Sequence, residues 1–186
     1  MKDNIIPAVR LTLFCALFFS GVYTLSIYGI AQLTPNNGNG EVVMADGKKQ
    51  HINVAQNFSS DKYFWPRPSA VAYNAAGSGG SNKGISNPEY LAVVKGRIDT
   101  FLLKNPGIKA SEIPSELVTA SGSGIDPDIS LQGAKIQVKR IANARKISEQ
   151  TISQLIKKNT TQPLLGVLGT EKINVLQLNI ALDQLQ

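Results

Sequence analysis

A long apolar stretch near the start of the chain sets the pattern for everything that follows. No Asp, Glu, Lys or Arg occurs in residues 11–33, which have the sequence LTLFCALFFSGVYTLSIYGIAQL. A helix of this length is about 35 Å long and can cross a hydrocarbon core of about 30 Å. It also satisfies its own backbone hydrogen bonds in lipid. The pattern predicts a transmembrane helix, in which Gly21 and Gly29 allow close packing of another membrane helix.

A cleaved signal peptide is the alternative interpretation of this stretch. Lys2 and Arg10 would then form its basic start, and Gly29-Ile30-Ala31 would be its cleavage site. The apolar run is longer than the roughly 7–15 apolar residues that are usual in signal peptides, so an uncleaved anchor is favoured. Basic residues also predict the orientation, because Lys2 and Arg10 precede the span and the next basic residue is Lys48. Residues 1–10 are therefore expected in the cytoplasm and the rest of the chain outside.

After the span, the pattern changes to that of a folded domain. A turn-rich linker, TPNNGNG, occupies residues 34–40. Strand-like runs at 41–44 and 51–54 flank Asp46-Gly47, a dipeptide typical of tight hairpin turns, so the domain is expected to open with a β-hairpin. Residues 41–186 are long enough for one domain with its own core.

Helical periodicity dominates the second half of the chain. Three residues precede an apolar repeat and are expected to cap a helix: Asn87 (before Pro88), Ser130 and Ser148. The helix after Asn87 is expected to end at Asn105, and the helix after Ser148 at Asn159. The repeats are Leu91, Val94, Ile98, Phe101 and Leu102; Leu131, Ala134, Val138 and Ile141; and Ile152, Leu155 and Ile156. Residues 174–185 predict a final helix, while residues 166–169 predict a tight, extended segment. The fold class is therefore mixed α/β (α+β): one transmembrane helix, then a helix-rich α+β domain outside the cytoplasm.

Residues 56–87 show neither helical nor strand periodicity, although they are rich in aromatic side chains. Such a long irregular stretch inside a compact domain is usually functional. Aromatic residues beside arginine are typical of interface cores, whereas the alternative is a loop whose aromatic rings fill the domain's own core. The interface hypothesis selects the following partner contacts: Gln56, Asn57, Phe58, Tyr63, Phe64, Trp65, Arg67, Tyr73, Asn74, Gly79, Gly80 and Asn82.

Charge adds one further candidate surface. The chain of 186 residues has a net charge of +6. Opposed only by Glu149, seven basic residues cluster near the C-terminus: Lys135, Lys139, Arg140, Arg145, Lys146, Lys157 and Lys158. The cluster suits an acidic protein or anionic lipid, and the alternative is a set of solvated helix faces. Nucleic acid is not expected as a partner of a domain outside the membrane.

The residues for catalysis or metal binding are scarce. Cys15 is the only cysteine and His51 the only histidine, so a disulfide, a zinc site and a serine-hydrolase triad are not expected. Two Gly/Ser turns, at 77–81 and 121–124, have the composition of phosphate cradles, but no Gly-Lys-Ser/Thr follows either of them. Tight turns between elements are the alternative. The chain is not expected to be an enzyme, and no catalytic or metal-binding residue is proposed.

Taken together, these motifs resemble a known family, the C subunit of the Kdp-type potassium-transporting P-type ATPase of bacteria. The likeness covers nearly the whole chain. The matching motifs include Gln56-Asn57-Phe58, Tyr63-Phe64-Trp65, Tyr73-Asn74, Asn87-Pro88, Val118 to Gly124, Gln137-Val138 and Asn174-Val175-Leu176. Departures from the family pattern are Pro66, Leu131, Lys139 and Asp128, the last at a position where the family often has His.

The resemblance implies an accessory subunit of the bacterial cell membrane without catalysis of its own. Its implied partners are a channel-like potassium subunit, an ATP-hydrolysing subunit and a small single-span subunit, besides the bilayer. It also implies a catalytic chaperone that raises ATP affinity, with Ser121, Gly122, Ser123, Gly124 and Gln137 touching the nucleotide. The expected orientation disagrees with direct contact, because it places these residues across the bilayer from ATP. Coupling through the assembled complex is the hypothesis we carry forward, and a membrane-anchored binding module for an anionic ligand is the alternative; an enzyme outside the membrane is a third, disfavoured one.

Overall fold

A computed structural model describes residues 4–45 and 47–185 of the chain. The chain divides into two compact units between Val42 and Val43. The first contains the apolar stretch, and the second contains the α+β domain.

One continuous helix, Ile5–Gln32, contains the apolar stretch. It consists of α1 (Ile5–Leu17), a π-helical turn (Phe18–Tyr23) and α2 (Thr24–Gln32). Its 28 residues have an 18-residue window of mean hydropathy 2.0, and none of that window is buried. The helix begins six residues before the predicted span, so Arg10 is helical as well. A helix of this length can cross a membrane by length and composition.

The second unit contains five helices and short strands among its described residues. The helices are α3 (Pro88–Lys104), α4 (Leu131–Lys135), α5 (Val138–Arg145), α6 (Glu149–Lys158) and α7 (Val175–Asp183). The strands are β1 (Val42–Ala45, which begins at the unit boundary), β2 (Lys48–His51), β3 (Asp128–Ile129), β4 (Thr160–Thr161) and β5 (Lys172–Asn174). The fold class is mixed and helix-rich, as predicted.

Both sheets are small. Strands β1 and β2 form a two-stranded sheet, so the predicted opening hairpin is present. Its second strand, however, is Lys48–His51 rather than residues 51–54, and the predicted turn residue Asp46 lies outside the described residues. The other sheet has the order β3-β5-β4, with Ile129 and Thr160 both opposite Ile173 and both pairs antiparallel.

Most helix ends are where local sequence places them. Asn87, Ser130, Ser148 and Asn174 each accept a hydrogen bond from a backbone N–H in the first turn of the following helix. Such capping satisfies donors that have no partner inside the helix. The predicted helix ends at Asn105 and Asn159 are confirmed as well.

Two details of the predicted helices are wrong. The repeat after Ser130 is divided between α4 and α5, because Ile136 and Gln137 leave the helix between them. In α3, Leu91 is 51% exposed, so the buried stripe is shorter than the apolar pattern indicates, and only Phe101 is fully buried.

The core is formed mainly by α5, α6 and α7, because α6 packs against both of the other two. Ile141, Ile152 and Leu178 from these helices are completely buried, together with Ile173 of β5. Phe64, from the irregular stretch, is buried in the same cluster. The domain is therefore held together by a helical core into which a loop inserts an aromatic ring.

Candidate functional site

The irregular stretch predicted as a partner interface is fastened to its own domain. We call residues 56–82 the aromatic segment; its only regular element among the described residues is a short 3₁₀ turn, Ala75–Gly77. Phe64 has an exposed fraction of 0%. Its backbone N–H donates to Asn179 Oδ1 at 2.9 Å, and its carbonyl accepts from Asn179 Nδ2 at 3.0 Å. The Asn179 side chain thus supplies the hydrogen-bond partners of the Phe64 backbone, which is not paired with a β-strand.

The Gln137 side chain forms the same pair of hydrogen bonds with the backbone of the next residue, Trp65. Its Oε1 accepts from the backbone N–H of Trp65 at 2.8 Å, and its Nε2 donates to the Trp65 carbonyl at 3.3 Å. Nε2 also donates to the Gly133 carbonyl at 3.0 Å, while Oε1 accepts from Arg140 Nη2 at 2.6 Å. An amide side chain has two donors and two lone pairs, so all four are used. Gln137 itself has an exposed fraction of 0%.

Arg140 is a buried cation beside these contacts. Its Nη1 donates to the carbonyls of Asp61 and Tyr63 at 2.7 and 3.0 Å, and its Nε donates to Asn105 Oδ1 at 3.1 Å. The guanidinium carbon lies 4.1 Å from the centroid of the Trp65 ring. Burial lowers the pKa of Arg140 to about 10, with the charge of Asp61 opposing that change. The side chain therefore stays charged at neutral pH, stabilised by carbonyls and an aromatic face.

Arg145 contacts the aromatic segment at Lys62 and Tyr63 in a similar way. It donates to the Lys62 carbonyl at 2.8 Å and pairs with Asp183 at 2.6 Å. Tyr63 donates to the other oxygen of Asp183 at 3.2 Å, and burial, followed by the charge of Asp183, raises the pKa of this tyrosine. Two of the seven clustered basic residues, Arg140 and Arg145, thus make internal contacts. The remaining five are exposed lysines: Lys135, Lys139, Lys146, Lys157 and Lys158.

The two Gly/Ser turns, predicted separately, contact each other. The Gly79 N–H and the Ser78 hydroxyl both donate to the Ser123 carbonyl at 2.9 Å. Gly124 has φ +70°, and a Cβ there would lie 2.5 Å from Val71 Cγ2 and 2.7 Å from the Gly79 carbonyl oxygen. Only glycine fits this close approach without a clash or strain. The pair of turns fastens the second half of the aromatic segment to residues 121–124.

Four of the nine backbone N–H groups in these turns donate to backbone carbonyls of the domain. Ser121 is buried, and its N–H donates to the Pro68 carbonyl at 3.1 Å. The Gly124 N–H donates to the Ser121 carbonyl at 3.2 Å. A phosphate cradle needs several free N–H groups that converge on one point. Because the two turns bond to each other and to the Pro68 carbonyl, the geometry favours the alternative interpretation, in which 77–81 and 121–124 are structural turns.

Asp128, which the sequence singles out as a departure from the resembled pattern, forms an ion pair. Its Oδ2 lies 2.7 Å from Lys172 Nζ, and this hydrogen bond and charge raise the pKa of Lys172. Nearby, Arg67 pairs with Asp126 at 2.7 Å and its carbonyl accepts from the Tyr73 hydroxyl at 3.0 Å. Burial raises the pKa of Tyr73. The Arg67–Asp126 pair joins the aromatic segment to the residues just before β3.

Part of the aromatic segment does remain accessible. Of the predicted partner contacts, Asn57, Asn74 and Asn82 are exposed and Phe64 is buried. The other eight, Gln56, Phe58, Tyr63, Trp65, Arg67, Tyr73, Gly79 and Gly80, are half-buried. Phe58, Trp65 and Pro68 line a groove of about 510 Å³ against α3. Partner contact by this segment stays a prediction, and so does helix packing by Gly21 and Gly29, of which Gly29 has nothing within 4 Å of an added Cβ.

Sequence reasoning missed Asn179, which is buried and central to this arrangement. Its only signal is an amide within the otherwise apolar face of α7, between Leu178 and Leu182. Buried amides are expected to have hydrogen-bond partners, so such a position indicates that another backbone segment docks there. No group of three or more His, Cys, Asp or Glu side chains that could hold a metal occurs in the described ranges, 4–45 and 47–185.

An apolar helix of spanning length, followed by an α+β domain, is typical of a membrane-anchored protein. Similarity to known proteins shows the family to which the chain belongs. Residues 5–184 match the family described as KdpC: K+-transporting ATPase, c chain. The chain therefore belongs to the KdpC family, is a subunit of a potassium-transporting ATPase without catalysis of its own, and is anchored by its N-terminal apolar helix. The family resemblance found in the sequence is confirmed.

The chain is also similar in sequence to individual members of this family over nearly their full length. The chain is 52% identical over 184 residues to the potassium-transporting ATPase KdpC subunit of Flavobacterium psychrophilum, covering 98% of this chain and 99% of the relative. It is 48% identical over 187 residues to the subunit of Bacteroides fragilis, covering 98% of both chains. It is 45% identical over 186 residues to that of Geobacter sulfurreducens, covering 96% of both.

Proposed function

We propose that the chain supports assembly of an ATP-driven potassium uptake complex from the extracytoplasmic side of the membrane. The family match over residues 5–184 carries the assignment to the complex. The orientation rests on the basic residues: Lys2 and Arg10 precede or lie within the first part of the apolar helix, and the next is Lys48. In this proposal, the partners are the channel-like, ATP-hydrolysing and small single-span subunits.

The domain acts on ATP use through the assembled pump and does not touch nucleotide itself. The observation that carries this proposal is Gln137, which has no exposed surface and four hydrogen bonds within the domain. A nucleotide could contact it only after the Trp65 backbone and Arg140 lost their partner. If the chain binds the ATP-bound state of the pump more tightly than the ATP-free state, it raises the apparent ATP affinity of the pump without direct contact.

Protease protection tests the orientation. The full chain carries a C-terminal tag and is expressed with the other subunits, and protease is added to sealed right-side-out vesicles. The tag is expected to be cut from outside. Cleavage only after lysis would place the domain in the cytoplasm and contradict the proposed orientation.

Two binding measurements test the absence of direct nucleotide contact. The full chain in detergent micelles is titrated with Mg-ATP, and the fluorescence of Trp65, the only tryptophan, reports changes beside Gln137. No saturable change is expected at millimolar ATP, whereas adding the chain to a complex purified without it should lower the apparent KM for ATP. Saturable binding to the isolated chain would overturn the proposal.

The anionic-ligand alternative finds less support. Its best-placed cavity, about 550 Å³ in volume, is lined by Lys135 and Lys157 but also by Glu149 and Glu171. Two carboxylates beside two ammonium groups leave no net positive charge to attract an anion.

A further inference from the structure

A short hairpin near the C-terminus exposes an unusual amount of apolar surface. Residues 163–169, PLLGVLG, form what we call the apolar hairpin, which contains no charged residue. The exposed fractions of Leu164, Leu165, Val167 and Leu168 are 68%, 83%, 78% and 58%. Single exposed aliphatic residues, such as Ile85 at 92%, are ordinary on protein surfaces. Four within five positions form a contiguous patch, and such patches mark interaction sites.

The hairpin has a defined shape. Leu164 and Leu168 exchange two backbone hydrogen bonds, each 2.9 Å long, and the Gly166 N–H donates to the Pro163 carbonyl at 3.0 Å. Leu165 has φ +56°, a conformation uncommon for a leucine. A loop already ordered in the free chain loses less conformational entropy when it binds. These features describe a preformed projection rather than a collapsed loop.

The charges around the hairpin indicate what it fits. It follows the C-terminal end of α6, where Lys157 and Lys158 are exposed. Neither lysine takes part in an ion pair among the described residues. Lys157 also lines a cavity with Glu149 and Glu171, which offset its charge, whereas Lys158 is not among the residues that line it. Apolar side chains that follow such a cation in sequence complement an apolar cleft with a carboxylate at its rim.

We propose that the apolar hairpin is a docking element that inserts into such a cleft on another subunit of the same ATPase. The inference rests on the proposed function, since it supplies the surface that assembly requires. The aromatic segment, whose contact with a partner stays a prediction, offers a groove rather than a projection. A second attachment to lipid is less favoured, since the N-terminal helix already provides one.

The test uses the whole complex, purified through a tag on another subunit. The double variant Leu165→Glu/Val167→Glu places two charges in the cleft, and the amount of chain retained after a detergent wash should fall about tenfold or more. Ile85→Glu, an equally exposed aliphatic position outside the hairpin, is the matched control and should be retained like the wild type. Because all three side chains are exposed, the thermal unfolding midpoint should be unchanged in both variants.

The outcomes separate the inference from the proposed function. If the wild-type chain itself does not co-purify, the proposed function fails. If the wild type and the double variant co-purify equally, the function stands and the docking inference is overturned. A photoactivatable residue at position 165 identifies the occupant: a crosslink to a pump subunit supports the inference, and a crosslink to lipid overturns it.

Discussion

The aromatic segment and the apolar hairpin are both irregular, yet they treat their apolar side chains in opposite ways. The aromatic segment turns Phe64 fully into the core and half-buries Trp65. The apolar hairpin turns Leu165 and Val167 outward. The two regions differ in which groups form hydrogen bonds with their backbone. This difference matters because each buried peptide unit needs hydrogen-bond partners.

Buried polar side chains on helices supply those partners for the aromatic segment. Asn179, Gln137 and Arg140 pair with the backbone between residues 61 and 65. The hairpin instead pairs with itself through Leu164 and Leu168. An irregular segment can therefore join a core where fixed amides and a guanidinium replace the missing strand, and composition alone does not reveal where that happens.

Truncating one aliphatic or aromatic side chain in each region should give the largest contrast. Phe64→Ala leaves a cavity in the core and should lower the free energy of unfolding by about 3–5 kcal/mol. Leu165→Ala should change it by less than about 0.5 kcal/mol, since the side chain is exposed. Urea unfolding of the chain in micelles, followed by Trp65 fluorescence, measures both. Equal effects would mean that the two regions do not differ as described.

The pairing of the two Gly/Ser turns is tested by a smaller change. Gly124→Ala combines a positive φ with a contact of 2.5 Å to Val71, and should lower stability by about 2–3 kcal/mol. Gly122→Ala is the control, because nothing lies within 4 Å of an added Cβ there and it should cost less than about 1 kcal/mol. The same unfolding measurement applies, and a neutral Gly124→Ala would contradict the turn contact.

Removing one polar anchor should have an effect of intermediate size. Gln137→Ala leaves the Trp65 N–H and carbonyl without their partner and should lower stability by about 1–3 kcal/mol. Gln132→Ala, at an exposed position of α4, should be close to neutral. If Gln137→Ala also weakens ATP use by the complex, we expect mild stabilising conditions, such as added osmolyte, to restore it. Loss of ATP affinity with unchanged stability would instead indicate a direct role.

The smallest expected effect is a pH dependence from Tyr73. Burial raises the pKa of this phenol above its ordinary value of 10.0, so the folded chain binds the proton more tightly than the unfolded chain does. That contribution is complete below the unfolded pKa and is lost as the pH rises through it towards the folded value. Unfolding measured from about pH 9 to pH 11 should show a shallower decline for Tyr73→Phe than for wild type. Identical slopes would contradict the assignment.

Features set by neighbours in sequence could be predicted, and features set by distant contacts could not. The caps at Asn87, Ser130 and Ser148 were found because a cap bonds only to its own helix. The break between α4 and α5 was missed, because the apolar repeat runs on through Gln137 while its amide bonds to Trp65, 72 residues away.

The candidate site follows the same rule. Both Gly/Ser turns were found by composition, but their contact was not, since Ser78 and Ser123 are 45 residues apart. The composition of each turn by itself is compatible with both a phosphate cradle and a structural turn. The exposed hairpin was only partly anticipated, as a tight extended segment at 166–169, because an apolar run does not indicate by itself whether it is covered.

The bond between Asn179 and Phe64 also constrains when the domain can fold. The two residues are 115 positions apart, and Asn179 lies in α7, the last helix among the described residues. While the ribosome is still making α7, the backbone at Phe64 has no partner and its ring has no finished core to enter. The first third of the domain therefore cannot complete its packing before α7 is present. A chain that ends before α7 exposes aromatic side chains and unpaired backbone groups, which chaperones and proteases recognise.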